Sequence, residues 1–272
     1  MSDLPGSAGL AEALAPHTGA LTSVEPTERG NLSDVTALVV GEKGEWFVKA
    51  VRNRPGGRRD SLIREGLINP SVHPISPAVL WQAESPEWIA LGFEIVRGHH
   101  ADLSPGSPDL PAVVDVLNRI ARVEPPGIVR DWPETRWDRF STDAEARLLR
   151  GDALLYTDLN PDNLLIGEQT TWAVDWAWPT RGAAHIPPSL LVVQLIAAGH
   201  SAESAEEWAG GSTAWANADP EAVDAFAAAA LRMNRHRHDR DPDADWLWAM
   251  VSAVGQWVDY RARRGAAFNS FI

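Results

Sequence analysis

Residues 154–178, LLYTDLNPDNLLIGEQTTWAVDWAW, constrain the fold more than any other stretch of this chain. Three short apolar runs alternate there with two polar turns. Leu154, Leu155 and Tyr156 lead into the turn 157–163, which Pro161 stiffens. Leu164, Leu165 and Ile166 form a second β-like run, and after the turn 167–170 a third run, 172–174, delivers Asp175. A hairpin of this kind gathers Asp158, Asn163 and Asp175 at the ends of its strands. Two carboxylates and an amide suit a hard divalent cation, because Mg²⁺ takes oxygen ligands and usually only one or two from carboxylates. Taken singly, Asp158 and Asp162 also read as ordinary turn residues, with Asn163 capping the loop. The ordered set, D-x-x-x-x-N and then Asp twelve residues later behind an apolar strand, favours the metal reading.

The 272 residues suffice for two lobes with a sizeable core, and 44% apolar with 22% charged content is that of a soluble globular protein. No apolar run approaches the ~20 residues of a membrane span, and the start of the chain lacks a basic-then-apolar leader, so the expectation is no membrane partner and a cytoplasmic location. Without cysteine, disulfides, thiol nucleophiles and Cys-ligated zinc are excluded. A net charge of −13 argues against nucleic acid, which needs a basic stripe. Residues 1–97 carry 9 Lys+Arg against 12 Asp+Glu, a balance of −3; the remaining 15 and 25 leave −10 on residues 98–272. That acidic half would concentrate a cationic small molecule, and it also serves solubility.

Of the 24 cations only Lys43 and Lys49 are lysine. Lys43 sits in a polar turn, where any solvated residue would serve. Lys49 interrupts an apolar strand in a chain that otherwise writes its cations as Arg, so a compact ammonium rather than a planar fork is wanted there.

The first 18 residues are rich in Ala, Gly and Pro, with Leu10, Ala11 and Leu14 suited to starting a short helix. Residues 21–24, 35–40 and 46–51 then read as an antiparallel meander, with Phe47, Lys49 and Val51 on one face. Residues 58–67 read as a helix that Asn69-Pro70 stops, and 79–82 and 88–96 as two further strands. After Gly98 helices take over. Leu110, Val113, Val114, Leu117, Ile120 and Ala121 make one apolar stripe ended near Pro125-Pro126; 135–150 suggests a second helix; 179–188 reads as loop. Helices follow at 189–198, 203–208, 221–233 and 244–263, and the basic run 232–240 reads as a solvated helix end. His99 and His100 lack metal-ligand spacing and read as edge polar residues.

The set Asp158-Leu159-Asn160-Pro161-Asp162-Asn163-Leu164-Leu165 and Asp175-Trp176 resembles the catalytic loop and metal aspartate of protein-kinase-like phosphotransferases, H-x-D-x-x-x-x-N then D-F-G. Within them it is most similar to the aminoglycoside phosphotransferase and choline kinase-like family, whose loop reads H-G-D-L-x-P-x-N-I-L. Tyr156 stands where that family has a mainly structural His. The Asp that usually braces the loop from the following helix is missing from Ile186-Pro187-Pro188-Ser189, where Ser189 is left as a helix cap.

The resemblance implies an α+β, bilobal protein-kinase-like fold: a nucleotide-binding lobe at 1–97 with a five-stranded antiparallel sheet and a helix, and a mostly helical lobe at 98–272 with the catalytic loop and acceptor site. It implies ATP and Mg²⁺ as cofactors. Asp158 would orient the acceptor hydroxyl and take its proton, and Asn163 and Asp175 would hold Mg²⁺. Lys49, fixed by Glu65, would contact the α and β phosphates. Gly30 with Ser33-Asp34 would cover the phosphates, and the backbone of Glu94 and Val96 would read the adenine edge. The implied activity is transfer of the γ-phosphate to a hydroxyl of a small, cationic acceptor such as an aminoglycoside-like antibiotic, by a monomer or homodimer. The alternatives are a choline, amino-alcohol or sugar kinase and a non-catalytic nucleotide-binding pseudokinase. Ten of the 13 Trp lie in residues 132–257, as core or as rings for a sugar-like ligand.

Overall fold

The structure, a computed structural model, describes residues 9–27 and 33–269, with side chains as far as Arg264. The chain forms two compact units. The first comprises the described residues up to Gly98 together with Trp172–Trp178; the second comprises His99–Thr171 and the residues from Pro179 onward.

In the first unit, helix α1 (Leu10–Thr18) precedes strands β1 (Leu21–Pro26), β2 (Val35–Gly41) and β3 (Gly44–Arg52). Helix α2 (Gly57–Val72) is followed by β4 (Val79–Glu84) and β5 (Trp88–Phe93). The five strands form one antiparallel sheet in the order β1-β2-β3-β5-β4. Alternation sorts its side chains into two layers. Trp46, Val48, Ala50, Trp88 and Ala90 join Leu10 and Leu14 of α1 on one face. Val51, Ile89, Leu91 and Phe93 join Leu62 of α2 on the other, with Phe47 beside them. β5 is therefore buried on both faces. Each fully buried large apolar side chain contributes about 1.5–3 kcal/mol, so two such layers make this sheet a rigid platform. Trp81 lies flat on the β5 backbone at Gly92, where a Cβ would come within 2.0 Å of the indole, so only glycine admits this contact.

Two boundaries differ from expectation. α2 continues through Pro70, which forfeits one N–H near the helix end, while the buried Asn69 side chain takes up the amide of Val79 and donates to the carbonyl of Pro77. β5 stops at Phe93 rather than Val96, because Glu94 turns back: its N–H donates to Ala78 O and its carboxylate accepts from Ala78 N.

The second unit carries strand β6 (His99–His100), helices α3 (Leu110–Ala121) and α4 (Asp143–Leu148), and strands β7 (Ala153–Leu155) and β8 (Leu164–Ile166). Strand β9 (Thr171–Ala173) carries the chain across into the first unit, and β10 (Thr180–Gly182) follows its return. Helices α5 (Ile186–Ala197), α6 (Ala202–Ala209), α7 (Thr213–Ala216), α8 (Pro220–Arg240) and α9 (Asp245–Asn269) complete it. The core gathers Leu117 and Ile120 of α3, Val192 and Leu195 of α5, Phe226 of α8 and Trp257 of α9, all buried. Trp137 packs its ring 5.0 Å from Phe226. No helix among the described residues is long and apolar enough to cross a membrane.

The expected helix over 135–150 is replaced by a 3₁₀ turn, Asp138–Phe140, and α4. Thr142 and Glu145 form a reciprocal capping box, which starts a helix afresh and so breaks the one before it. The expected loop over 179–188 contains β10, antiparallel to β7 with Arg181 opposite Leu154, and the first turn of α5. Pro187 and Pro188 fall in that first turn, where a missing N–H costs nothing. Because β7 pairs with β10 and β8 with β6, the stretch 154–166 is not a simple hairpin. His99 and His100 are the two residues of β6, opposite Ile166 and Leu165.

Candidate active site

The first unit assembles a buried ion cluster from three distant segments. Lys49 lies on the α2 face of β3, and its Nζ is 2.8 Å from Oε1 and 3.1 Å from Oε2 of Glu65 on α2. It also donates to Asp175 Oδ1 at 3.1 Å. Burial disfavours the charge on Lys49, but Glu65 and Asp175 together outweigh it and hold the ammonium above its ordinary range. Burial pushes the Glu65 carboxyl up, opposed by the Lys49 charge and by a backbone hydrogen bond from Trp176.

Asp175 adopts a left-handed conformation, φ 60°, alone among the described non-glycine residues. A short polar side chain tolerates that region; it still costs on the order of 1–3 kcal/mol and persists only where the surroundings impose it. Those surroundings are identifiable. The Trp176 indole, fully buried, donates to Ala173 O at 2.9 Å. Ala173 N donates to Ile75 O at 2.9 Å, and the Arg64 guanidinium lies 5.0 Å from the Trp178 ring. Neither Arg64 nor Trp178 has a signal in the sequence beyond its proximity to Glu65 and Asp175.

The second unit holds the loop of Asp158 and Asn163. The loop folds on its own polar groups: Asn160 Oδ1 accepts from Asn163 N at 3.2 Å, capping the 3₁₀ turn Pro161–Asn163. Asn163 Nδ2 donates to the carbonyl of Asp158 at 2.9 Å, and Asn160 Nδ2 donates to the same carbonyl at 3.2 Å. The Asn163 amide nitrogen is thereby used inside the loop. Asp158 itself is exposed.

Two ties hold this loop in shape and in place. Tyr156, buried, donates its hydroxyl to Asn163 O at 3.2 Å. Arg136 donates to Thr157 Oγ1 at 2.9 Å and to Thr157 O at 3.4 Å. Arg136 is positioned in turn by Glu134, which accepts from its backbone N–H at 2.7 Å and from Thr180 Oγ1 at 2.8 Å. The sequence offered no motif for Arg136 or Glu134. Ser189 does not cap α5: the N-cap is His185, and the buried Ser189 hydroxyl has no partner among the described residues.

Of the remaining expected residues, Ser33 is half-buried at the entry to β2. Its neighbour Asp34 does the tying, accepting from Arg52 N at 2.8 Å and pairing with Arg58 of α2. Gly30 lies outside the described residues. Glu94 has its N–H and carboxylate engaged by Ala78, and Val96 follows in irregular, half-buried chain. Thus Lys49, Glu65 and Asp175 come together in one unit, and Asp158 and Asn163 in the other.

Among the described residues no three His, Asp or Glu side chains are grouped as a metal site. Asp175 in the first unit and Asn163 in the second each carry an oxygen of the hard type that Mg²⁺ accepts alongside phosphate and water. A cavity of about 660 Å³ in the second unit is lined by Glu203, Glu206, Glu207, Trp215, Tyr260, Arg263 and Arg264 and contains none of the expected site residues. Its Glu206 is already satisfied by Arg261, Arg264 and the Trp257 indole.

No protein-family model matches this chain, and no curated protein matches it. Solved structures do. The choline kinase LicA from Streptococcus pneumoniae aligns over 94% of this chain and 100% of its own, at 10% identity and a TM-score of 0.65. The AMP-bound spectinomycin phosphotransferase APH(9)-Ia aligns over 92% and 97%, at 11% identity and 0.61. A thermostable aminoglycoside phosphotransferase APH(4)-Ia, in a ternary complex with AMP-PNP and hygromycin B, aligns over 95% and 99%, at 13% identity and 0.59. The chain has the fold that these phosphotransferases share.

Proposed function

We propose that this protein is an ATP-dependent small-molecule kinase that transfers the γ-phosphate to an acceptor hydroxyl. The observation that carries the reading is the buried Lys49 held between Glu65 and Asp175, a positioned ammonium with no need to exist in a merely structural sheet. Burying an ion cluster costs desolvation that an apolar packing would avoid, so the sheet is built around a point charge suited to phosphate oxygens. The likeness to nucleotide-bound phosphotransferases supports the same assignment.

In this reading Lys49, oriented by Glu65, holds the α and β phosphates. Ser33 faces the phosphates, and the Glu94 and Val96 backbone receives the adenine. Asp175 and Asn163 are the residues that would give oxygen ligands to Mg²⁺, and the ion would supply shielding of phosphate charge. Asp158 accepts the proton of the acceptor hydroxyl as that oxygen bonds to Pγ. The bond from Pγ to the bridging oxygen breaks, and ADP leaves with the electron pair. Chemistry of this type asks the protein mainly for positioning and charge stabilisation. The lobes at 1–97 and 98–272 divide the nucleotide and acceptor tasks, in a cytoplasmic protein.

The spread of acceptors among similar folds, spectinomycin, hygromycin B and choline, covers antibiotics and a metabolite alike. An aminoglycoside-like or other cationic acceptor accords with the −10 balance of residues 98–272 as a whole. The test is ATP consumption with Mg²⁺ across a panel of hydroxylated antibiotics and metabolites, in wild type and Asp158→Asn. Acceptor-dependent ADP release that the variant loses supports the assignment. Turnover at the wild-type rate in the variant, or tight Mg·ATP binding with no acceptor anywhere in the panel, overturns it.

A further inference from the structure

Side-chain donors hold the backbone on both sides of the Asp158 Cα. On the far side, the Asp158 carbonyl accepts from Asn163 Nδ2 at 2.9 Å and from Asn160 Nδ2 at 3.2 Å. On the near side, the Thr157 carbonyl accepts from Arg136 Nη1 at 3.4 Å. Arg136 Nη2 donates to the Thr157 hydroxyl at 2.9 Å, the shorter and stronger of its two bonds. The two asparagines belong to the loop itself, whereas Arg136 brings its hold from a separate segment.

That segment is stiff for identifiable reasons. Arg136 N donates to the Glu134 carboxylate at 2.7 Å, and Thr180 of β10 donates its hydroxyl to the same carboxylate at 2.8 Å. Glu134 is buried and lies close against β10: a Cβ on Gly182 would come within 3.1 Å of Glu134 Cβ and 2.8 Å of the Leu155 side chain. Glu134 N also donates to Arg181 O at 2.8 Å, and β10 pairs with β7, the strand that leads into the loop. The Arg136 guanidinium lies 5.3 Å from the ring of Trp137, which is buried against Phe226. Arg136 is thus fixed at its backbone and over a ring before it reaches Thr157. Little side-chain freedom is left to lose in forming the two bonds. Two terminal nitrogens meeting two oxygens of one residue is a task for a planar fork, and the single ammonium of lysine does not reproduce that geometry.

Resting on the kinase reading above, we propose that Glu134 and Arg136 are positioning residues for transfer, which fix the peptide between Thr157 and Asp158 and so aim the exposed Asp158 carboxylate at the acceptor hydroxyl. Taking a proton in the transition state depends on that aim, and a misplacement of about 1 Å costs on the order of 10²-fold in rate. Nucleotide binding does not depend on it, so the effect falls on kcat.

The test uses the full chain with Mg²⁺ and follows two quantities. Hydrogen exchange, mapped by mass spectrometry on the AMP-PNP-loaded protein, reads the amides of 158–164, among them Asn163 N, which is bonded inside the loop. ADP release, to the acceptor that the panel above identifies or, without one, to water, reads transfer. In Arg136→Lys and in Thr157→Val the loop amides exchange at least tenfold faster, and those of α8 and α9 are unchanged. The kcat falls at least tenfold, while KM for ATP and the Kd for AMP-PNP change less than twofold. Thr157→Ser keeps the hydroxyl and stays near wild type in both quantities. Glu134→Gln, whose amide accepts from Arg136 N and donates to Thr180, does the same, whereas Glu134→Ala behaves as Arg136→Lys. Arg139→Gln, an exposed arginine of the same segment, changes neither quantity. Faster exchange throughout the second unit, or equal falls in kcat and AMP-PNP affinity, assigns these residues to general stability and overturns the proposal. An Arg136→Lys protein with an unaltered loop, or with a loosened loop and the wild-type kcat, overturns it too while leaving the kinase reading intact. A wild-type protein that releases no ADP, with any acceptor or with water, overturns both.

Discussion

Tyr156 donates its hydroxyl to the backbone carbonyl of Asn163, 3.2 Å away, and so closes the loop that carries Asp158 between its own two ends. The brace is internal to the loop and buried, with Tyr156 only 2% exposed. Tyr156→Phe keeps the ring and deletes the bond. Loss of one buried hydrogen bond costs about 1 kcal/mol, so the urea midpoint falls modestly. Transfer slows several-fold because Asn163 loses its anchor; unfolding curves and kcat measured together check this, and an unchanged kcat refutes the bracing role.

Lys49 is the shared partner of Glu65 and Asp175. Lys49→Met strands two carboxylates, and removing one partner of a buried pair costs roughly 3–5 kcal/mol. The double variant Lys49→Met with Glu65→Gln recovers a large part of that loss while nucleotide affinity stays abolished. Chemical denaturation and AMP-PNP titration separate the two effects.

Asp175→Asn preserves a side chain that tolerates φ 60° and removes only charge. The backbone therefore stays in place. The Mg²⁺ concentration for half-maximal transfer rises at least tenfold, read from a Mg²⁺ titration at saturating ATP; an unshifted titration curve removes Asp175 from the metal's ligands.

Asp158→Asn lowers acceptor phosphorylation by about 10²–10⁴, the usual contribution of a positioned base, while Mg·AMP-PNP affinity is retained. Equal losses of affinity and rate point instead to a loop that has come apart.

His185 caps α5 from a buried position, and burial depresses its pKa from 6.5 to about 4, with a backbone hydrogen bond at Ala222 and the charge of Asp219 opposing. A cation there would also face the positive end of the helix. The unfolded chain binds this proton below pH 6.5 and the folded chain only near 4. The stabilisation is therefore complete above 6.5 and drains away as pH falls from 6.5 toward 4, by up to about 3 kcal/mol. His185→Gln flattens that part of the stability-versus-pH curve relative to wild type, as denaturant titrations between pH 4 and 7.5 measure.

Much of the architecture was legible because it rests on local patterns. Residues 46–51 and 88–96 read as strands, the second ending three residues early, and the stripe from Leu110 to Ala121 announced α3. A lone lysine in an apolar strand and the ordered Asp158, Asn163 and Asp175 marked the chemistry by residue type and spacing alone. Local patterns failed where a long-range partner overrode them. Residues 180–182 became a strand because β7 was there to pair with, and 135–150 broke because Trp137 needed the core beside Phe226 while Thr142 offered a fresh cap. The tertiary structure alone decided that residues 172–178 join the first unit and bring Asp175 to Lys49, 126 residues away in the chain. It alone decided that Arg136, read from sequence as part of a helix, ties down Thr157 beside Asp158. Periodicity records which face of an element is buried; only packing determines which distant charges must share a place.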